Sequence, residues 1–395
     1  MMISVTDAKK IVEEISFTVT TVKLPLKETT GLVLAEDYYA GIDLPPFPQS
    51  SMDGYAFSFE EWEKGKRLKL TGEIAAGSNQ LIKILPGEAM RIFTGAAVPQ
   101  GADTVLMQEK SVLENKELVV GDDNLKNGEN VRLRGAEIKK GSLAISKNTL
   151  LTPGAIGYLA GMGCNEIFVH PKPVISIIVT GNELQSPGIP LQYGQVYEAN
   201  SFSLNAALEG MGIRESKIYY CADVLVMLTH ILENALIESD IVLLTGGVSV
   251  GDYDFTVKAA EKCGVDLLFH RIKQKPGKPV YFGKKNDKVV FGLPGNPASV
   301  LTCFYIYVVP VIEKMMGKKG IQKTQTAVST SEIRKPAGIT WFLKGSVEAG
   351  FVTALDAQES YRLSSFARAN CLIELAEDLP GCKTGDPVNI HLLPV

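Results

Sequence analysis

Residues 241–262, IVLLTGGVSVGDYDFTVKAAEK, decide how this chain is read. Ile241 to Leu244 form a short apolar run bounded by turn residues, the pattern of a buried strand. A glycine-rich turn follows, and then a segment of helical periodicity. This is the layout of a phosphate cradle, in which backbone N–H groups and a helix N-terminus face an anion. The spacing of Gly246 and Gly251 imitates a P-loop, but Asp252 and Asp254 stand where a P-loop continues with Lys and Ser or Thr. Two carboxylates beside a phosphate site imply a divalent cation between them. The turn therefore points to a metal-assisted anion site and away from an ordinary NTPase.

Outward from this turn, apolar strands alternate with helical segments. Strands are expected at 174–180, 216–220, 241–244 and 289–292, and helices at 200–211, 223–238, 254–263 and 297–314. Such alternation predicts parallel βαβ units in a doubly wound sheet. Upstream, Thr6 is the expected N-cap of a first helix over 7–15. Residues 45–141 are short strands broken by Gly, a β-rich module. A helix at 153–161 and a strand at 166–169 precede Pro171-Lys172-Pro173. Downstream of Lys318, residues 326–395 return to short strands, as in a small β-barrel or sandwich. The expected organisation is thus α/β plus β in four parts. A discontinuous linker and dimerisation domain spans 1–44 and 142–170, and the β-rich insertion spans 45–141. The doubly wound α/β domain covers 171–318, and the C-terminal β-barrel domain covers 319–395.

The 395 residues are 45% hydrophobic, enough for several cores. A net charge of −4 gives no electrostatic case for nucleic acid. The six cysteines show no CxxC spacing, so all are expected reduced and mostly buried, as in the cytoplasm. The N-terminal MMISVTDAKKIVEEI carries acidic residues and helical spacing in place of an apolar leader. The run Val300 to Ile312, broken by Pro310, is too short to span a bilayer. A soluble, cytoplasmic protein without membrane contact is expected.

Three turns fall at expected strand ends: Thr180-Gly181-Asn182-Glu183, Thr245 to Asp254, and Leu293-Pro294-Gly295-Asn296-Pro297. Ligands of open α/β sheets bind where the carboxyl ends of strands converge. The segment Arg271 to Pro279, RIKQKPGKP, adds cations in a proline-stiffened loop. Cations, backbone donors and carboxylates on one edge describe a site for an anion plus metal. In the β-rich module, Ser50 to Ala56 holds Asp53-Gly54, ordinarily a plain turn signal. The arginines of RIFTG (91–95) and VRLRG (131–135) either meet an oxyanion or are simply exposed. The histidines 170, 230, 270 and 391 have no ligand spacing, and His230 reads as structural.

In this order, SSMDGYAF, GEAMRIFTGAAVPQGADTVLMQE, VRLRGAEI, VTGNEL, LTGGVSVGDYDF, KPGKP and LPGNPASV resemble the molybdopterin molybdenumtransferase family, the molybdate insertases also found as the E domain of gephyrin-like proteins. The resemblance covers nearly the whole chain. It implies a homodimer whose active site, on the α/β domain, also draws on the partner subunit's β-rich domain. The implied reaction inserts molybdate into adenylylated molybdopterin and releases AMP with Mg²⁺. Implied catalytic positions are Asp53, Thr94, Glu183, Asp223 and Asp254, with Asp254 and Glu183 on the metal. Implied substrate contacts are Gly246, Gly247, Ser249, Arg271, Lys275, Lys278, Pro294, Gly295, Asn296 and Pro297. A molybdopterin adenylyltransferase and molybdoenzyme maturation proteins are implied partners.

Four positions depart from the family pattern: Gln49, Glu137, Asn182 and Lys344, the last standing where an arginine with bidentate geometry is usual. Two other readings stay open. One is a molybdopterin adenylyltransferase, against which the MDGYA module and the C-terminal β domain count. The other is a gephyrin-like scaffold, against which the retained Asp53, Glu183 and Asp254 count.

Overall fold

The structure is a computed structural model, and it describes residues 2–18, 20–247, 255–318 and 324–394. By contacts the chain divides into two units, one of Met1–Val22 with His170–Val395 and one of Lys23–Val169.

The larger unit is organised by a six-stranded sheet. Its order is Ser216–Cys221, Ile175–Thr180, Ile241–Thr245, Lys288–Leu293, Pro279–Lys285 and Asp266–Arg271. The first four strands are parallel, pairing Thr180 with Cys221, Val179 with Thr245, and Thr245 with Leu293. Their carboxyl ends are therefore level to within a residue. Helices Leu225–Glu238 and Phe255–Lys262 cover one face, packing with Ile178, Val242, Leu244 and Val290. The period of two leaves Ile177, Leu243 and Phe291, all fully buried, to the opposite face. There helices Asn200–Gly210 and Pro297–Cys303 pack on each other.

The doubly wound parallel sheet is present, with one addition. Strands Asp266–Arg271 and Pro279–Lys285 extend it, the second antiparallel to both its neighbours. The sequence reading missed both. Asp266–Arg271 is an edge strand that leaves Leu267 and Leu268 exposed, so its apolar residues do not alternate. The other opens on Pro279, which a strand tolerates at its first residue.

The expected helix at 297–314 runs over Pro297–Met315 with a π-helical turn at Phe304–Val308. Among the described residues it is the one helix long and apolar enough to cross a membrane, and 72% of its apolar window is buried inside the protein. Its hydrophobicity is accounted for as that of a core helix.

The C-terminal strands form a barrel. Thr340–Glu348, Phe351–Ala354, Gln325–Ser329, Pro387–Leu392 and Cys371–Leu375 pair in turn, and the last closes on the first. Closure leaves no free edge among the five. Leu343, Val352, Ile373, Leu375 and Ile390 fill the interior. Gln274–Lys275, leaving the α/β sheet, pairs parallel with Thr340–Trp341 of the barrel.

The first helix is Val5–Glu14, and its N-cap is Ser4, not Thr6. Ser4 Oγ accepts from the Asp7 N–H at 3.0 Å while Asp7 Oδ2 accepts from the Ser4 N–H at 3.4 Å. This reciprocal pair satisfies two free donors of the first turn, which Thr6 has no comparable partner to do. The helix packs on Val309–Met315 and reaches the barrel through Lys9. Lys9 Nζ lies 2.6 Å from Glu374 Oε2, which also meets His391 Nε2 at 2.5 Å.

The smaller unit is built on a six-stranded sheet, ordered Thr104–Met107, Gly54–Phe57, Glu88–Ile92, Leu68–Ile74, Glu117–Val120 and Ser111–Glu114. Gly54–Phe57 is buried at every residue because cores lie on both faces. Tyr55 and Phe57 point into one with Leu68 and Leu106, and Ala56 into the other with Met90, Ile92 and Val105. The expected helix forms at Pro153–Gly161, capped by Thr152 Oγ1. None of the six cysteines is in a disulfide, and all but Cys164 are buried.

Glu374 yields a stability prediction. Burial alone raises its pKa, but the His391 hydrogen bond and the Lys9 ammonium overcome that and hold it at about 2. A carboxyl with a depressed folded-state pKa adds stability above its unfolded value and loses it as pH falls. The contribution should therefore be complete above pH about 4.5 and disappear toward pH 2. Removing one partner of a half-buried pair costs less than of a fully buried one, so Glu374→Gln should lower stability at pH 7 by about 2 kcal/mol. Urea melts at pH 7 and pH 3 check this, since the difference between variant and parent should shrink at the lower pH.

Candidate functional site

The level strand ends fix where the expected site residues meet. Thr180 and Cys221 end adjacent strands, so the turns carrying Glu183 and Asp223 lie side by side. Asn182 Oδ1 accepts the Asp223 N–H at 3.2 Å and ties the two turns together. The departure at Asn182 thus has a structural use. Glu183 is exposed, and Asp223 is half-buried.

The next strand ends in Thr245-Gly246-Gly247. Gly246 has φ +85°, and a Cβ there would lie 2.5 Å from the Thr180 carbonyl oxygen. Only glycine permits both the conformation and this approach between neighbouring turns. Ser249, Asp252 and Asp254 lie outside the described residues, and with them the expected metal ligand Asp254 and the expected cap Asp252. Among the described residues no three carboxylate, imidazole or thiolate groups converge to hold a metal ion. Glu183 alone does not make a metal cage.

The turn after Leu293 is held from two sides. Asn200 Nδ2 donates to the Gly295 carbonyl at 3.0 Å. From the barrel, Ser360 Oγ accepts from Asn296 Nδ2 at 2.9 Å, and its carbonyl accepts from the Ala298 N–H at 3.0 Å. Pro294 is buried, while Gly295 and Asn296 are exposed and Pro297 opens the helix. Asn200 and Ser360 were absent from the sequence reading. Neither lies in a glycine or proline turn, the signal by which the other residues were found.

The cationic loop belongs to the same edge, because Arg271 pairs with Pro279 across the antiparallel strands. The Ile272 N–H donates to the Lys278 carbonyl at 3.0 Å and closes the loop at its base. Lys275 and Lys278 are exposed. Lys275 Nζ sits 4.5 Å from the centroid of the Trp341 ring, a cation–π contact that fixes the ammonium without neutralising it. Arg271 is half-buried, and its Nε has no partner among the described residues. Asn200 Oδ1, Thr245 Oγ1 and Thr256 Oγ1 are likewise buried and unpaired among those residues. Buried polar atoms are normally satisfied, so each of these atoms has bonding capacity left for a polar ligand.

Lys344 is committed to its own chain. It is 2% exposed, and its Nζ donates to the carbonyls of Ala357 at 2.8 Å, Arg362 at 3.3 Å and Glu359 at 3.4 Å. Burial pulls the pKa of this ammonium down. The charge organises the loop that carries Ser360.

In the smaller unit Asp53 and Thr94 form a pair. The Thr94 N–H and hydroxyl both donate to Asp53 Oδ1 at 2.7 Å. These two bonds, with Arg91 nearby, hold the Asp53 carboxyl below the usual carboxylate range. The Asp53 residue is thus more than a turn former. Arg91 stacks 5.0 Å from the Tyr55 ring and 5.2 Å from the Phe93 ring, and donates to Gln108 Oε1. Arg134 is bound to Asp43 at 2.6 Å and is not free for an anion.

Three family profiles match along the chain. Residues 3–163 match the MoeA N-terminal region (domain I and II), 176–314 a probable molybdopterin binding domain, and 326–393 the MoeA C-terminal region (domain IV). The molybdopterin molybdenumtransferase of Haemophilus influenzae is 33% identical over 395 residues, covering 97% of this chain and 98% of that protein. The chain belongs to the molybdopterin molybdenumtransferase family. Another member, from Nostoc sp., is 33% identical over 92% of this chain and 87% of its own length. The crystal structure of the molybdopterin biosynthesis MoeA protein from Pyrococcus horikoshii superposes with a TM-score of 0.85 at 29% identity, covering 100% of this chain and 99% of that one. Membership makes the chain an enzyme of the transferase class in molybdenum cofactor biosynthesis.

Gly246 gives this site its own test. Gly246→Ala should destabilise the protein by about 2 kcal/mol, through the strained φ and the contact with Thr180. Chemical denaturation measures it, and a change under 0.5 kcal/mol on the same rough scale would show that the two turns are not packed together.

Proposed function

We propose that the chain inserts molybdate into adenylylated molybdopterin and releases AMP. The observation that carries this is the convergence of Glu183, Asp223, Gly246, Gly247, the Arg271–Pro279 loop and Pro294–Pro297 at the level ends of parallel strands. Both substrates are anionic. The cations Arg271, Lys275 and Lys278 supply attraction and orientation, and the buried unpaired polar groups supply directional contacts. Positioning two reactants at one edge replaces a bimolecular encounter, a large share of any group-transfer rate.

The reading extends to a homodimer in the cytoplasm, with Asp53 and Thr94 brought to this edge by a second subunit. Asp53 is ionised at neutral pH, as an ordinary aspartate is, and its depressed pKa extends that state to lower pH, so it serves as an acceptor, not as an acid. A molybdopterin adenylyltransferase, which makes the adenylylated substrate, and molybdoenzyme maturation proteins are the proposed partners. Mg²⁺ dependence is part of the proposal, resting on the expected ligands Asp254 and Glu183.

With purified protein and adenylylated molybdopterin, AMP release should require molybdate and Mg²⁺. Lys275→Ala should lower kcat/KM by about tenfold, equivalent to about 1.4 kcal/mol of lost stabilisation. Release at the same rate without any oxyanion sinks the proposal. ATP consumption with molybdopterin alone would mark an adenylyltransferase, and complete absence of turnover a scaffold.

A further inference from the structure

Between the half-buried Lys273, which is paired with Glu377 at 2.8 Å, and the exposed Lys275 stands Gln274, 1% exposed, directed inward by the period of two that also buries Ile272. Its Nε2 donates to the carbonyls of Pro276 and Gly277, both at 3.0 Å, using both amide hydrogens. Its Oε1 accepts from the hydroxyl of Tyr307, which is fully buried in the π-helical turn of the Pro297–Met315 helix. The donor is always available, since burial raises the Tyr307 pKa well above its ordinary value. The phenol is itself set by the Phe269 ring, 6.1 Å away between centroids. Gly277, at φ +81°, lets the loop turn back over Cys303, where any Cβ would collide with Sγ.

We propose that Gln274 is a positioning residue, whose carboxamide, oriented by Tyr307, sets the loop that presents Lys275 and Lys278 to the anionic substrate. The inference rests on the reading of those lysines as substrate contacts. Two consecutive carbonyls turned inward to one amide leave the flanking lysine side chains directed outward. With Lys275 fixed over Trp341 on the barrel side, the loop is held at its buried and its exposed surface. A side chain of equal volume without the amide donors would fill the space and release both carbonyls.

The test uses the full chain, with kcat and KM for molybdate from AMP release, molybdate affinity by calorimetry, and thermal melts. Gln274→Met should raise KM for molybdate by about tenfold with kcat changed less than about twofold. Tyr307→Phe, which deletes one atom on the neighbouring helix, should raise it by about threefold. Lys275→Ala serves as the reference and should raise KM as well. A Gln274→Met protein that melts earlier yet keeps the parent's KM and affinity overturns the inference, because the amide is then only a support for the fold. If Lys275→Ala raises KM while Gln274→Met does not, this inference fails alone. If neither raises it, the reading of the lysines as substrate contacts fails with it. Should Gln274→Met not fold, an unchanged KM in Tyr307→Phe overturns the proposal.

Discussion

The level ending of four parallel strands is the constraint on which the rest of the larger unit depends. A parallel ladder leaves the groups beyond its last hydrogen bond unpaired, and here all four strands stop within one residue of register. The turns that follow must be satisfied by one another. Asn182 accepts from Asp223, Gly246 packs against Thr180, and Asn200 donates to Gly295. The edge is therefore one connected surface assembled from turns remote in sequence. Shifting any strand by a residue would separate the turns and invert the faces on which the helices pack.

Lysine is used in two opposite ways along this edge. Lys275 is exposed and lies on an aromatic face, so it keeps its charge available to an incoming anion. Lys344 is buried, and its charge is directed to three carbonyls of its own chain. An ammonium with three donors and no preferred plane suits convergent carbonyls better than a planar guanidinium does. The loss of bidentate geometry anticipated at that position is thus beside the point. Lys344 acts through Ser360, which in turn braces Asn296 and the start of the core helix.

Much of this was legible in the sequence because chain and structure share a period. Continuous apolar runs such as VISIIVT and IVLL gave central strands buried on both faces, and glycine and proline turns gave the strand ends. What escaped has identifiable causes. Strand Asp266–Arg271 carries exposed leucines on an edge, so neither alternation nor a continuous run is seen. The cap Ser4 lies two residues before the expected Thr6, and the Ser4/Asp7 spacing is that of a capping box. Gln274 stands in the sequence as a polar residue in a basic loop. Its distance of two from Ile272 was the available signal. Asn200 and Ser360 could be found only from tertiary contacts, since Asn200 acts on a turn 95 residues away and Ser360 on one 64 residues away. The resemblance marks Asp53 and Thr94 as separate positions, and that they pair is seen only in the two hydrogen bonds between them.

The Lys9–Glu374–His391 cluster bears on how the chain is made. The first helix finds its ionic partner in a strand that closes a barrel at the far end of the polypeptide. During synthesis from the N-terminus, Lys9 emerges long before Glu374, and the apolar face of its helix must wait with it. The intervening residues, Lys23–Val169, form a separate compact unit. Maturation of the larger unit is then a final event, set by the arrival of the last strands, and it ties together the two ends of the chain.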